Sequence, residues 1–169
     1  MRKLLFLTSV LAVMLTNVLS PNAQAVTSKV PVHGAKGQTL TSSKAKNLVS
    51  GEKVTVSGRN YDTNIGIYVA FCEVPAKGVR PSKCYGGINL TGNLPGSVWI
   101  SSNVPWYEAA AAKIAKPYGK HGTFSVKLTV AQKFDKTDCK IVRCAIVTRA
   151  DHNNSKNRAA DVVMPVTFK

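Results

Sequence analysis

The chain is poor in acidic side chains and in the groups that enzymes use for catalysis. Its 169 residues include 23 Lys and Arg but only 8 Asp and Glu, and three histidines. None of His33, His121 and His152 lies in a nucleophile signature, and the G-x-S-x-G, H-E-x-x-H and phosphate-loop motifs are absent. The few carboxylates are spread along the chain, so no paired-carboxylate site is visible. The sequence predicts a protein that is not an enzyme and holds no cofactor.

Long apolar runs are absent after residue 25, whereas one dominates the start of the chain. A basic Met1-Arg2-Lys3 precedes the almost wholly apolar run from Leu4 to Leu19, and Ala23-Gln24-Ala25 follows. This order predicts a secretory signal peptide cleaved after Ala25. The alternative is a retained anchor, for which an apolar run of about 16 residues is short. We expect a secreted or extracytoplasmic, envelope-associated protein.

Positive charge dominates the rest of the chain. The net charge of +15 falls to +13 when Arg2 and Lys3 are removed with the predicted signal peptide. Such a charge favours anionic partners, including lipid headgroups, cell-wall polyanions and nucleic acid. The alternative is a solvated basic surface that keeps the protein soluble. The charges form no dense run, which does not favour specific nucleic-acid recognition.

Cysteines are few, and all four lie in the predicted mature chain: Cys72, Cys84, Cys139 and Cys144. An even number in an exported chain predicts two disulfides, for which three connectivities are possible. Proximity in sequence favours Cys72–Cys84 and Cys139–Cys144. Neither spacing matches a zinc site, so no metal is expected. Residues 138–147 are predicted to form a tight hairpin stapled by a disulfide and leading into a strand.

Short segments of alternating or β-branched residues predict strands between turn-forming residues. The predicted strands are 39–42, 53–57, 67–72, 97–101, 122–130, 144–149 and 161–168. Because Pro165 cannot donate to a ladder, the last is either an edge strand or interrupted at that residue. Residues 26–38 are predicted to form an N-terminal arm, and residues 103–119 a surface helix of about three turns. The fold class is therefore all-β, an antiparallel β-sandwich over residues 39–169 with a short inserted helix.

Several motifs together resemble the neocarzinostatin family over roughly residues 39–168. They are Val54-x-Val56-x-Gly58, Tyr68-Val69-x-x-Cys72, Phe124-Ser125-Val126-x-Leu128-Thr129-Val130, Asp138-Cys139-x₄-Cys144 and a final Asp-Val-x-x-Pro-Val-x-Phe. The resemblance implies an exported, immunoglobulin-like fold of seven strands with the disulfides Cys72–Cys84 and Cys139–Cys144. An insert at about residues 85–121 is longer than the antibiotic carriers of that family have. The stretch Thr148–His152 is similar to one in a wider set of envelope-associated actinobacterial proteins.

The resemblance also implies a ligand cleft beside the stapled hairpin, where the carriers hold an enediyne chromophore. In this chain Val147 and Arg149 share one face of the strand there, and they would crowd and charge the cleft. Arg149 and His152 are candidates for a polar rim around a ligand or partner. One alternative is a surface salt bridge, of Arg149 or Asp151 with Asp161 or Arg158. For Asp151 a second alternative is a turn-forming role, in which its carboxylate does not orient His152 for catalysis.

Aromatic residues of the insert are the best binding candidates: Trp99, Trp106 and Tyr107. The alternative for all three is a structural role, which for Trp99 is burial in the sandwich core. Our first hypothesis is a non-enzymatic binding module of the cell envelope, which docks on an envelope protein complex or anionic surface through the basic surface and aromatic insert. The alternatives are a carrier of a small hydrophobic ligand and an antibacterial or DNA-interacting cationic protein.

Overall fold

Two four-stranded antiparallel sheets pack face to face in the computed structural model, which describes residues 31–87 and 94–169. The predicted signal peptide and the first residues of the predicted arm lie outside the described residues. The described strands are β1 (Val32–His33), β2 (Thr39–Ser42), β3 (Lys53–Arg59), β4 (Ile67–Glu73), β5 (Ser97–Ile100), β6 (Phe124–Thr129), β7 (Lys133–Phe134), β8 (Thr137–Asp138), β9 (Cys144–Ala150) and β10 (Val162–Val166).

The first sheet has the order β1-β2-β3-β6, and the second has the order β10-β9-β4-β5. Within the described residues, seven strands have four or more residues, and each falls on one of the seven predicted segments. Strands β7 and β8 form a separate two-stranded ribbon. The prediction of an all-β, antiparallel sandwich is confirmed.

The first sheet buries one face only. In β3, Val54 and Val56 are buried whereas Lys53 and Thr55 are exposed, and β6 alternates in the same way. This is the period of two expected of a strand with one face against a core. The outer face of β3 and β6 is therefore solvent-facing.

The second sheet is buried on both faces along its two central strands. All seven residues of β9 and six of the seven in β4 are buried. Ile67, Val69 and Phe71 point into the core between the sheets. Ala70 and Cys72 point the opposite way and pack in a second cluster with Val147. Cys72 thus lies on the face that the sequence alternation predicted.

Both predicted disulfides are present. Cys72 pairs with Cys84 and Cys139 pairs with Cys144. The local structure around the second bridge differs from the predicted hairpin, because β8 pairs with β7 rather than with β9. The bridge closes a turn between β8 and β9. Pro165 lies in β10 at the edge of the second sheet, as predicted.

The inserted helix is much shorter than predicted. A 3₁₀ turn at Trp106–Glu108 leads into a single α-turn, α1 (Ala109–Ala112). Helices this short gain little from alanine propensity alone. The chain instead returns to the sheet, where the Lys116 amide donates to the Trp99 carbonyl and Lys116 accepts from the Ser101 amide. In residues 31–87 and 94–169, no helix is long and apolar enough to cross a bilayer.

Candidate functional site

A row of large side chains crosses the outer face of the second sheet. Strand register places Tyr68 beside Trp99 on one side and beside Arg149 on the other. Register partners project to the same face of a sheet. All three side chains are buried, with exposed fractions of 0%, 1% and 4%. Trp99 is thus buried, but on the outer face rather than in the sandwich core.

Asp151 fixes the edge of this row. Its Oδ2 accepts a hydrogen bond from Trp99 Nε1 at 3.1 Å, and its Oδ1 accepts from the backbone amides of Asn153 and Asn154. The carboxylate lies so close to Gly66 that a Cβ there would overlap it. Asp151 therefore forms a turn and positions a tryptophan. It does not orient His152, in line with the turn-forming alternative.

His152 joins the sheet to the insert. Its Nδ1 is 2.6 Å from the Tyr68 hydroxyl, and its Nε2 is 2.9 Å from Glu108 Oε2. A neutral imidazole protonated at Nε2 satisfies both contacts, since it accepts from the hydroxyl and donates to the carboxylate. The ring also packs 5.1 Å from that of Trp99. The result is a clamp, formed by Tyr68, His152 and Glu108, that holds the 3₁₀ turn against the sheet.

Sequence reasoning missed Tyr68 and Glu108. They lie 84 and 44 residues from His152 in the chain. One available signal was the alternation in β4, which places Tyr68 on the face opposite Ile67 and Val69. Burial, followed by the negative charge of Asp151, raises the pKa of Tyr68 above its ordinary value. The hydroxyl thus stays protonated and can donate to His152.

The loop between the first two cysteines covers the other end of the row. The Cys72–Cys84 bridge ties this loop to β4, and Arg149 Nη1 donates a hydrogen bond to the Pro81 carbonyl. The guanidinium also lies 5.7 Å from the centre of the Tyr68 ring. Val147 is fully buried beside this bridge. The face that Val147 and Arg149 were predicted to crowd is covered in this structure.

Arg149 does not form the surface salt bridge with Asp161 that was the alternative to a binding role. It is buried, and Asp161 pairs instead with Arg158 at 3.0 Å. Burial, then the nearby positive charge of Arg80, lowers the pKa of Arg149 to about 10. A ligand-binding role for Val147, Arg149 and His152 stays a prediction, and the covering loop would have to move for a large ligand to reach them.

Two aromatic side chains of the insert remain outside this covered region. Trp106 is 87% exposed and Tyr107 is 66% exposed. Their rings meet edge to face with centres 5.7 Å apart. We call these two residues the aromatic pair. Both immediately precede Glu108, so the clamp fixes the base of the pair.

An open groove runs between the adjacent edges of the two sheets, along β5 and β6. Its volume is about 560 Å³, and the residues that line it include Val98, Trp99, Ile114, Lys116, Val126 and Lys127. The lining thus mixes apolar side chains with lysines. No group of three or more metal-ligating side chains occurs within the part of the chain that the structure describes.

These features define a class of protein: a disulfide-bonded β-sandwich with an aromatic insert fastened over one sheet. The sequence matches the Neocarzinostatin family over residues 40–168, and the chain belongs to that family. Among solved structures it is similar to macromomycin, with 18% identity, a TM-score of 0.49, and coverage of 79% of this chain and 100% of that chain. It is also similar to apokedarcidin, with 17% identity, a TM-score of 0.44, and coverage of 78% and 98%. A comparison with curated proteins finds no significant match.

Proposed function

We propose that the protein is an exported, non-enzymatic binding module that docks on an anionic surface of the cell envelope. The aromatic pair is the contact point, and lysines of the insert supply the attraction. The observation that carries this proposal is the exposure of Trp106 and Tyr107 on a segment that the clamp holds in place. Tryptophan and tyrosine suit such a contact because each joins a large apolar ring to a polar group.

Charge around the aromatic pair favours an anionic partner. Residues 85–121 contain Lys113, Lys116 and Lys120 and a single carboxylate, that of Glu108. The lysines are exposed, whereas Glu108 is bound to His152. Three lysines against one carboxylate leave the insert with an excess of positive charge. Basic residues near aromatic anchors attract proteins to anionic lipid headgroups.

Fixing the aromatic pair lowers the entropic cost of binding. A flexible insert would lose conformational freedom on docking, and that loss would oppose association. Here Glu108 is tied to His152, and Tyr118 at the other end of the insert donates its hydroxyl to the Ile65 carbonyl at 3.0 Å. Both ends of the segment are thus attached to the sandwich.

Vesicle co-sedimentation tests this proposal. The protein should sediment with vesicles of anionic phospholipid and stay in solution with vesicles of zwitterionic phospholipid. The double variant W106A/Y107A should lose most of the binding. The matched control is Ile141→Ala, which removes a similarly exposed apolar side chain from the Cys139–Cys144 turn. Equal sedimentation of the wild type and the double variant would contradict the proposal.

A second candidate is the carrier of a small hydrophobic ligand, favoured by family membership and by the groove between β5 and β6. Trp99 is among the residues that line that groove, whereas Trp106 is not. The chain has only two tryptophans, so Trp106→Phe leaves Trp99 as the sole source of tryptophan fluorescence. A saturable, salt-insensitive shift of Trp99 fluorescence with a hydrophobic ligand would favour the carrier. Vesicle binding that weakens with salt would favour docking.

A further inference from the structure

Among the residues that the structure describes, three buried polar atoms at one corner of the covered face have no hydrogen-bond partner. They are Nε of Arg80, Nε of Arg149 and Oδ1 of Asp161. Buried polar groups are nearly always paired in folded proteins, so each such atom calls for an explanation. Two of these atoms are donors and one is an acceptor. A molecule that fits between them must therefore both accept and donate.

Strand register brings the residues of this corner together. Thr148 pairs with Val162 at the end of the β9–β10 ladder, so continuing the register by one residue sets Asp161 opposite Arg149 on the outer face. Arg149 also donates to the carbonyl of Pro81, the residue that follows Arg80. Arg158 completes the group through its 3.0 Å ion pair with Asp161. We call Arg80, Arg149, Arg158 and Asp161 the arginine corner.

Positive charge in this corner exceeds negative charge. Among the described residues, neither Arg80 nor Arg149 forms an ion pair with a carboxylate. The other carboxylates that act on this face, Asp151 and Glu108, are engaged with Trp99 and His152. Burial raises the pKa of Asp161, and burial and Arg80 lower that of Arg149. A buried guanidinium without a counter-charge is unfavourable, and a bound anion would remove that cost.

We propose that the arginine corner binds one hydrogen phosphate group. Its unprotonated oxygens accept from the two unpaired Nε–H donors, and its P–OH donates to Asp161 Oδ1. Three guanidiniums, one carboxylate and a hydrogen phosphate dianion together carry no net charge. Planar guanidinium groups suit phosphate recognition because their N–H donors match its oxygens. Sulfate has no proton to donate and would meet the Asp161 carboxylate with a like charge.

Burial limits the size of the phosphate compound. Arg149 is 4% exposed, and Arg80, which belongs to the disulfide-tied loop, is half-buried. A free phosphate ion can reach such a covered position more readily than a phosphate carried on a larger molecule. A phosphomonoester such as glycerol phosphate separates the two sources when both ligands are titrated at about pH 6, where a share of the ester still carries a P–OH. Equal binding of the ester would identify an attached phosphate as the ligand, and much weaker binding would identify the free ion.

Isothermal titration calorimetry in a phosphate-free buffer at constant ionic strength tests the proposal. Inorganic phosphate should bind at one saturable site, and sulfate should bind about tenfold or more weakly, since it loses a charge-assisted hydrogen bond. Arg80→Ala should weaken phosphate binding by a similar factor. The matched control is Lys77→Ala, which removes an exposed cation from the same loop and should bind as the wild type does. Asp161→Asn should narrow the difference between phosphate and sulfate, because its amide can donate to either anion.

Several outcomes would overturn the proposal. Equal, non-saturating heats for phosphate, sulfate and chloride would show charge screening only. Unchanged phosphate binding by Arg80→Ala would show that phosphate does not bind at the arginine corner. Buried water would then be the partner of the three atoms. Arg80→Ala and Asp161→Asn change partly exposed side chains, so they test the site without removing the buried Arg149.

Discussion

The outer faces of the two sheets differ, although both belong to one sandwich. On the first sheet, β3 and β6 alternate between buried valines and exposed polar side chains. On the second sheet, β4 and β9 are buried on both faces. The insert and the disulfide-tied loop cover this outer face, where Tyr68, Trp99 and Arg149 lie side by side. The covered face is thus a second interior, built from segments outside the sandwich strands.

The two interiors differ in chemistry. The core between the sheets is apolar, with Leu40, Phe71 and Leu128 among its fully buried members. The second interior combines aromatic rings with charged groups that hydrogen bonds hold in place. Such polar arrangements are specific when satisfied and costly when disturbed. The second interior should therefore respond to single changes much as the core does, whereas the outer face of the first sheet should tolerate them.

The largest expected effect comes from Trp99→Ala. Removing a buried tryptophan leaves a cavity and an unpaired Asp151 oxygen, and it should lower the free energy of unfolding by about 3–5 kcal/mol. Lys127→Ala is the matched change on the exposed outer face of β6, and it should alter stability by less than about 0.5 kcal/mol. Urea denaturation of both variants measures the difference. Similar small losses would mean that the second interior is only loosely covered.

Sequence reasoning found the strands but not the second interior. Alternation in β6 and β-branched residues in β9 are local signals, and they located the main strands within a few residues. The burial of Arg149 depends on a carbonyl 68 residues away, at Pro81, and no local pattern records that contact. Helix propensity in Ala109–Ala112 led to the overlong helix, because the pairing of Lys116 with the β5 edge could not be read from composition.

Removal of the first disulfide should have the next largest effect. Replacing Cys72 and Cys84 by alanine should cost about 3 kcal/mol on the loop-entropy model, against about 2 kcal/mol for the shorter Cys139–Cys144 loop. Only the first change frees the loop over Val147 and Arg149. An apolar dye should therefore bind the first double variant and not the second. Dye binding by neither variant would show that the loop stays closed without its bridge.

Alkaline pH should destabilise the protein through its buried tyrosines. Burial raises the pKa of Tyr61, in the core, and of Tyr68, in the second interior, above the unfolded value near 10. The folded state therefore keeps a proton that the unfolded chain loses. This contribution is fully present below pH 10 and declines above it, by about 1.4 kcal/mol per tyrosine for each pH unit. Arg149 opposes the trend, since its pKa is lowered to about 10 and the folded state loses that proton first.

Phenylalanine variants separate the two regions in this pH experiment. Tyr61→Phe should flatten the decline in stability between pH 10 and 11, and Tyr68→Phe should flatten it to a similar extent. Urea denaturation across this range measures the slopes, with absorbance at 295 nm to follow tyrosinate. An unchanged slope for Tyr68→Phe would show that its hydroxyl titrates normally and that the second interior admits water.

The smallest expected effect on stability comes from Glu108→Gln, which weakens the contact with His152 without removing it. Glutamine can still accept from His152 Nε2 but lacks the charge, so the loss should be below about 1 kcal/mol for a partly exposed contact. Hydrogen exchange is the better measurement, because amides in residues 106–112 should exchange faster when the insert opens locally.

Glu52→Gln gives the matched control on the other sheet. Glu52 is bound to Lys44 at 2.9 Å and is similarly exposed, but it holds no covering segment. The two variants should thus lose comparable stability, and only Glu108→Gln should change exchange in the insert. Equal protection of residues 106–112 in both variants would mean that the ring contacts of His152 with Trp99 fasten the insert on their own. In that case the charge on Glu108 would be dispensable, and the second interior would depend on packing rather than on its polar clamp.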